Sequence, residues 1–441
     1  MMKLLTALFA FSFAPVLADD WPRWMGGKAD GVWREEGIRK NLPKEGAPVL
    51  WRVPVGWGYS GPAVADGRVY LPDYQRSKGE LVNNPGTAVT WEGTERLLCL
   101  DVKTGKPIWK YEAPRKYFLS YPGGPRATPT IAGGLVYFLG GMGNLVVLDA
   151  RTGEKKWEKD FQKDFGAALP IWGFSGHPLV VDDTLYCLVG GEGSVAVAFD
   201  AKTGEVKWKA LDARAQGYCP PSMVKAGGVD QLIIWHPESM NSLNPKSGEK
   251  YWSLPLKPMY GMSVMTPQLA GNKLFASGIG RVGAMIELDE TKPAAKFAWR
   301  GKPKTGMYCC NSTPLIVDGV IYGSDIDSSK LIAASVEDGK RYWETMEPTI
   351  AKEYREGGRH GTVYVTHHQP SGNFWLVSES GDLILAKLSR EGYTELGRQH
   401  VLEPTNEAFQ RPVVWSGPAF AEKSVFMRND KELVRIDLSA K

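Results

Sequence analysis

From Val49 onward the chain alternates apolar and polar residues in short runs, and Gly, Asp and Pro separate the runs. A period of two is the mark of strands with one buried face, so runs this short and regular predict an all-β protein. One pattern repeats: an apolar run, Asp, two residues, Thr or Ser then Gly, three residues, Trp. It reads LLCLDVKTGKPIW to Trp109, LVVLDARTGEKKW to Trp157 and VAFDAKTGEVKW to Trp208. NSLNPKSGEKYW, ending at Trp252, has Asn244 for Asp, and IELDETKPAAKFAW, ending at Trp299, gains two residues and loses the Gly. AASVEDGKRYW, ending at Trp343, carries Ser335 at the Asp position, while LAKLSREGYTEL has Leu396 in place of Trp. The chemistry is that of a hairpin: Asp bonds nearby backbone N–H groups, Gly supplies a positive φ, and an outgoing strand carries the Trp.

A second hairpin precedes each of these, as in GPAVADGRVYL, TPTIAGGLVYFL, HPLVVDDTLYCL, TPQLAGNKLFA and TPLIVDGVIYG. Two hairpins make a four-stranded antiparallel blade, and a repeat of roughly 45–50 residues is that of a propeller. The last copy, ELVRIDLSAK, stops in its turn, whereas PVLWRVPV around Trp51 is an outgoing Trp strand with nothing before it. Joined, they complete one blade and leave no open seam. The expectation is an eight-bladed β-propeller over residues 49–441, closed by an N-terminal strand. Seven blades is the alternative, should the copy around Lys387 not form a full blade. Trp51, Trp109, Trp157, Trp208, Trp252, Trp299 and Trp343 are expected to wedge between blades as packing units. Trp21, Trp24 and Trp33, in the Gly-rich segment 19–48, are expected to strap over the outside. Asp73 to Arg96 reads as a long polar loop, and Glu347 to Gly361 as an insertion whose IAKEYRE core forms a short helix.

The first residues change the picture of where the protein works. Lys3, the apolar run Leu4 to Leu17 and the small-residue site Val16-Leu17-Ala18 predict a signal peptide over residues 1–18, cleaved after Ala18. The apolar run falls short of the ~20 residues a membrane span needs, and no later segment is apolar enough to cross. A net charge of +4 over 441 residues, with no Lys/Arg-rich run, gives no support for nucleic-acid binding, and no nucleic-acid partner is expected. The five cysteines, Cys99, Cys187, Cys219, Cys309 and Cys310, are an odd number and no dense disulfide framework.

The Asp-x-x-Thr-Gly-x-x-x-Trp repeats resemble those of the pyrroloquinoline-quinone (PQQ) repeat family, in the quinoprotein alcohol dehydrogenase-like superfamily, from about Val49 to the C-terminus. That family includes quinoprotein alcohol dehydrogenases and the propeller subunit of the bacterial outer-membrane β-barrel assembly machinery. WPRWMGGKADGVWREEGI, with GYSGPAVADGRVYL, YPGGPRATPTI and WGFSGHPLV, is further similar to exported bacterial PQQ-like propeller proteins. The resemblance implies a periplasmic or secreted propeller, and it leaves function open because enzymes and scaffolds share the repeat.

Propellers bind ligands at the funnel formed by the loops before each first strand. Here these loops carry Tyr59-Ser60, Pro125-Arg126, Phe174 to His177, Tyr218-Cys219, Met262-Ser263, Cys309-Cys310-Asn311, Arg359-His360 and Trp415-Ser416. The candidate ligand-binding residues are therefore Tyr59, Arg126, Phe174, His177, Cys309, Cys310, Asn311, Arg359, His360 and Trp415. Arg126, His177, Arg359 and His360 are expected to make the funnel cationic, suited to an anionic or carbonyl-bearing ligand. The resemblance gives Cys309-Cys310 a second meaning, since quinoprotein dehydrogenases carry an adjacent-Cys disulfide against the quinone. Such a site also needs acidic and amide ligands for Ca²⁺ and an Asp base, and these loops contain no Asp or Glu. His367 and His368 are adjacent on a strand, point to opposite faces and cannot chelate one metal together. HExxH, CxxC, P-loop and GxSxG patterns do not occur.

The expected function is a non-catalytic binding or assembly scaffold with no cofactor, no metal and no catalytic residue. It would take a protein partner or a small anionic ligand at the funnel and insertion loops. The alternative is a quinoprotein oxidoreductase using PQQ with calcium on alcohols or sugars. A carbohydrate-binding propeller would use the aromatics Tyr59, Phe174 and Trp415 with paired carboxylates.

Overall fold

In the computed structural model, which describes residues 20–440, each Asp turn closes as its chemistry dictates. Asp101 Oδ1 accepts from the Thr104 N–H at 2.8 Å, Asp149 Oδ1 from Thr152 at 2.8 Å, and Asp200 Oδ1 from Thr203 at 2.9 Å. Asn244 and Ser335 make the same type of bond with an amide oxygen and a hydroxyl, which is why the repeat tolerates them. The signal peptide expected over residues 1–18 lies outside the described residues.

The strands form eight four-stranded antiparallel blades in a ring, at residues 63–119, 130–160, 179–210, 222–255, 268–300, 315–345, 363–400 and 419–437. The eighth takes its outer strand from Val49–Pro54, which pairs antiparallel with Glu432–Asp437, Val49 opposite Ile436 and Pro54 opposite Glu432. The copy around Lys387 is a full blade, since Asp382–Leu388 and Tyr393–His400 pair along their whole length. First strands of neighbouring blades touch one another, 63–65 with both 130–132 and 419–421 for example, so they form the innermost layer. Helix is almost absent among the described residues, the one α-helix being Phe161–Phe165.

The repeated Trp joins each blade to the next. The indole N–H of Trp51 donates to Val102 O at 3.0 Å, Trp109 to Ala150 O at 3.1 Å and Trp157 to Ala201 O at 3.3 Å. Trp208 reaches Pro245 O at 2.9 Å, Trp299 reaches Val336 O at 2.8 Å and Trp343 reaches Ser389 O at 2.7 Å. The acceptor is always the residue after the Asp position of the following blade. The motif glycines of those turns, Gly105, Gly153, Gly204, Gly248 and Gly339, have φ of +70° to +75°, and a methyl group on any of them would come within 3.0 Å of the preceding indole. Trp252 breaks the pattern and donates to Gln231 Oε1 of its own blade at 2.8 Å. Its missing partner is the one turn, at Asp289, that lost its Gly.

Two sequence expectations are corrected. Asp73 to Arg96 is mostly strand: Arg68–Lys78 and Val89–Asp101 pair residue by residue, and only 79–88 is a loop. These strands extend beyond the ring, where Tyr74, Trp91 and Tyr117 form a small core of their own and Arg96 pairs with buried Asp73. The sequence there is polar because the extension projects into water. The Glu347–Gly361 insertion holds only a 3₁₀ turn, Lys352–Tyr354, and a third insertion carries the hairpin Asn406–Ala408 with Arg411–Val413.

The second correction concerns the N-terminal segment, which lies inside the ring. Trp21 exchanges both backbone bonds with Val64, Pro22 O accepts from the Ile131 N–H at 2.8 Å, and Val32–Trp33 pairs parallel with His367–His368. All four contacts are with first strands, so residues 20–33 fold back on themselves within the channel. Apolarity is the reason: Trp21 and Trp33 are buried, and both pack on Phe420 of the eighth blade. The chain then leaves between blades seven and eight, where the Arg39 N–H donates to Leu438 O at 2.9 Å. In six of the other seven blades that carbonyl position receives an indole. Leu396 stands where the Trp would be, and the departing chain occupies its place.

Candidate ligand-binding site

The connectors that precede the first strands converge on one side of the ring around a cavity of about 230 Å³. Its floor is Trp24, the apex of the N-terminal segment, stacked on His177 with ring centroids 4.7 Å apart and planes 10° off parallel. The same pair bounds a second cavity, of about 440 Å³, among the inner strands. Trp24 and His177 are therefore a septum between funnel and channel. Pro85, from the 79–88 loop, reaches the cavity from above. That loop is tied across the funnel: the Asn83 amide donates to Glu407 O at 2.7 Å and to Asn406 Oδ1, and Asn406 Nδ2 donates to the Tyr59 hydroxyl at 3.0 Å.

Seven of the ten residues singled out in the sequence meet here: Tyr59, Arg126, His177, Cys310, Asn311, His360 and Trp415. Phe174 does not, because its ring packs on Gly143 and Phe161 in the core between blades two and three. Cys309 points away from its neighbour into the core of blades five and six, and Arg359 is exposed off the cavity wall. Sequence reasoning missed Trp24, Tyr121, Trp172, Tyr364 and Phe409. Tyr121 and Trp172 lie a few residues from marked loops, but Trp24 was hidden by the assumption that its segment lies outside. Three wall residues, Tyr121, His360 and Phe409, hold positive φ of 50° to 58° without being glycine, a strain that concentrates at ligand sites.

The expected cationic funnel is reduced to one cation. Burial pushes the His177 imidazole down to about 3, and its Nδ1 accepts from the Thr128 N–H at 2.8 Å. Burial, with Arg411 and Arg359 nearby, pushes His360 down to about 4, and its ring stacks on Phe409 at 4.2 Å. Both are neutral at pH 7. Arg126 remains, deeply buried, its guanidinium carbon 5.2 Å from the centre of the Tyr59 ring. It donates to Ser120 O at 3.1 Å and also to Tyr121 O and Gly124 O.

No Asp or Glu lines the cavity. The nearby acids sit behind the wall and are already bonded. Glu379 accepts from Arg411 Nε at 2.6 Å, Trp415 Nε1 at 3.2 Å and the Thr362 N–H at 2.9 Å. Glu95 accepts from the Tyr117 hydroxyl and the Gly141 N–H, and Asp430 from the Gly58 N–H at 3.1 Å. A calcium-held PQQ does not fit this donor set, since hard cations take carboxylate and carbonyl oxygens and Asn311 is the sole side-chain amide on the wall. Among the described residues no three of His, Cys, Asp and Glu group as metal ligands, and no helix is long and apolar enough to cross a membrane. Cys309 and Cys310 are separate buried thiols, Cys310 pushed up to about 12.

Comparison with known proteins places the fold. The family described as "Outer membrane protein assembly factor BamB" matches residues 93–345. The quinohemoprotein alcohol dehydrogenase ADH IIB of Pseudomonas putida is 28% identical over 176 residues, which are 38% of this chain and only 22% of that protein. Among solved structures, BamB from Moraxella catarrhalis aligns at 13% identity and a TM-score of 0.56, covering 88% of this chain and 97% of its own. Quinohemoprotein alcohol dehydrogenase from Comamonas testosteroni aligns at 14% identity and a TM-score of 0.59, covering 96% and 81%. At these identities the structural likeness speaks for the propeller alone.

Proposed function

This chain belongs to the family of the outer membrane protein assembly factor BamB, and from that premise we propose that it is an exported binding propeller, one that holds a small ligand in its funnel without transforming it. The observation that carries the reading is the cavity wall: aromatic rings and thioethers with one buried cation, and no carboxylate in reach. Binding sites are concave, mostly apolar and furnished with few polar groups. A dehydrogenase of the quinoprotein kind needs a base for the alcohol proton, and every acid near this funnel is engaged behind the wall. Export to a bacterial periplasm or the medium is supported by the apolar run Leu4 to Leu17 and the site before Asp19.

Native mass spectrometry of the full chain, followed by a dye-reduction assay with alcohols and sugars after adding PQQ and Ca²⁺, tests the proposal. The expected result is a small organic molecule released intact on denaturation, with no dye reduced. Dye reduction dependent on both PQQ and Ca²⁺ would establish the dehydrogenase instead.

A further inference from the structure

The walls of the funnel differ in kind, and in a ring of eight the second blade faces the sixth. Arg126 and Tyr121 enter from the connector before the second blade, whereas Met262 and Cys310 enter from the connectors before the fifth and sixth. One wall therefore carries the cation, and the facing wall carries a thioether and a thiol with the neutral polar groups of Asn311, Ser312 and Thr313. Three of the five Arg126 N–H donors are spent on carbonyls, which fixes the plane of the guanidinium and leaves two. The Tyr121 hydroxyl is buried and has no hydrogen-bond partner, and Tyr121 itself is 8% exposed. The Tyr121 ring lines the cavity, and a buried hydroxyl left unpaired is costly, so a ligand atom brought against it would supply the missing partner.

Resting on the reading of the funnel as a binding site, we propose that its ligand is a planar aromatic monocarboxylate. Its carboxylate would meet Arg126 and Tyr121, and its rings would lie on Trp24 and against Met262. Charge supplies the sign: Arg126 is the one cation on the wall and the nearby acid, Glu95, is bonded behind it to Tyr117 and Gly141, so an anion in the cavity is attracted where a cation is repelled. Size supplies the limit, since a cavity of about 150 Å³ holds benzene and this one, at about 230 Å³, has room for roughly two fused rings.

Calorimetric titration of the full chain with 2-naphthoate, 2-naphthamide and 2-naphthyltrimethylammonium tests the class. A charge-assisted pair makes naphthoate bind about tenfold tighter than the amide, with the ammonium weakest. Tyr121→Phe, which removes only the unpaired hydroxyl, should cut naphthoate affinity about fivefold and leave the amide unchanged. Equal binding of naphthoate and naphthamide overturns the carboxylate assignment while the funnel stands. Met262→Trp fills the cavity and should abolish all binding; binding that survives it lies elsewhere and overturns the funnel reading itself. No binding of any of the three overturns the aromatic class.

Discussion

His177 joins three roles in one imidazole: it caps the Thr128 N–H, carries Trp24 on its face and stays neutral by burial. Its folded pKa lies near 3 against an ordinary 6.5. Between those values the unfolded chain binds the extra proton, so stability is lost as pH falls from 6.5 towards 3. At about 1.4 kcal/mol per pH unit the loss amounts to several kcal/mol. Urea unfolding from pH 7 to 4 should show a clearly steeper decline in the native chain than in His177→Gln, whose amide oxygen can still accept from Thr128. Parallel curves would show that the ring is not held neutral. Trp33 tests burial at the same scale. It is 1% exposed, with its indole N–H on Glu35 at 2.9 Å, so Trp33→Ala should cost about 3–5 kcal/mol.

The unit of cohesion at the next scale is a turn pressed on a neighbour's indole, an arrangement spread over two blades. This makes the glycine of the motif a contact residue as well as a turn former. Gly248 has φ +75° and its added methyl would sit 2.7 Å from the Trp208 ring, whereas Gly228 has φ +76° with open space around it. Both substitutions by Ala carry the backbone cost of about 1 kcal/mol, and only Gly248→Ala adds displacement of the indole. Chemical denaturation should therefore show Gly248→Ala to be the more destabilising by about 1–2 kcal/mol. Equal losses would mean that the indole gives way freely. Closure is tested in the same manner: deleting residues 48–54 removes the strand beside Glu432–Asp437 and the Trp51 joint to the first blade, and thermal unfolding should drop sharply.

The ring was legible in the sequence at the level of the whole molecule because its repeats are compact: Asp, Gly and Trp stand within a few residues of one another in each copy, although each Trp acts on the next blade. Closure by Val49–Pro54 was legible too, from a strand at one end lacking what the other end has in excess. The funnel was half legible. Loop positions located Tyr59, Arg126 and Trp415, but the charge on His177 and His360 depends on burial that no spacing announces. The place of Trp24 was illegible for a stronger reason. Its environment is made by His177, Tyr364 and Gly417, far apart in the chain, and no pattern near residue 24 records them.

That placement has a consequence in time. Trp21 waits for Val64, Trp33 for His367 and His368, Arg39 for Leu438, and Val49 for Ile436. Trp33, Arg39 and Val49 thus acquire their partners late, across separations of up to some four hundred residues. Pairings so distant in sequence make folding slow. A ring that is sealed only when its final strand arrives leaves these early segments without their partners until the last blade is made.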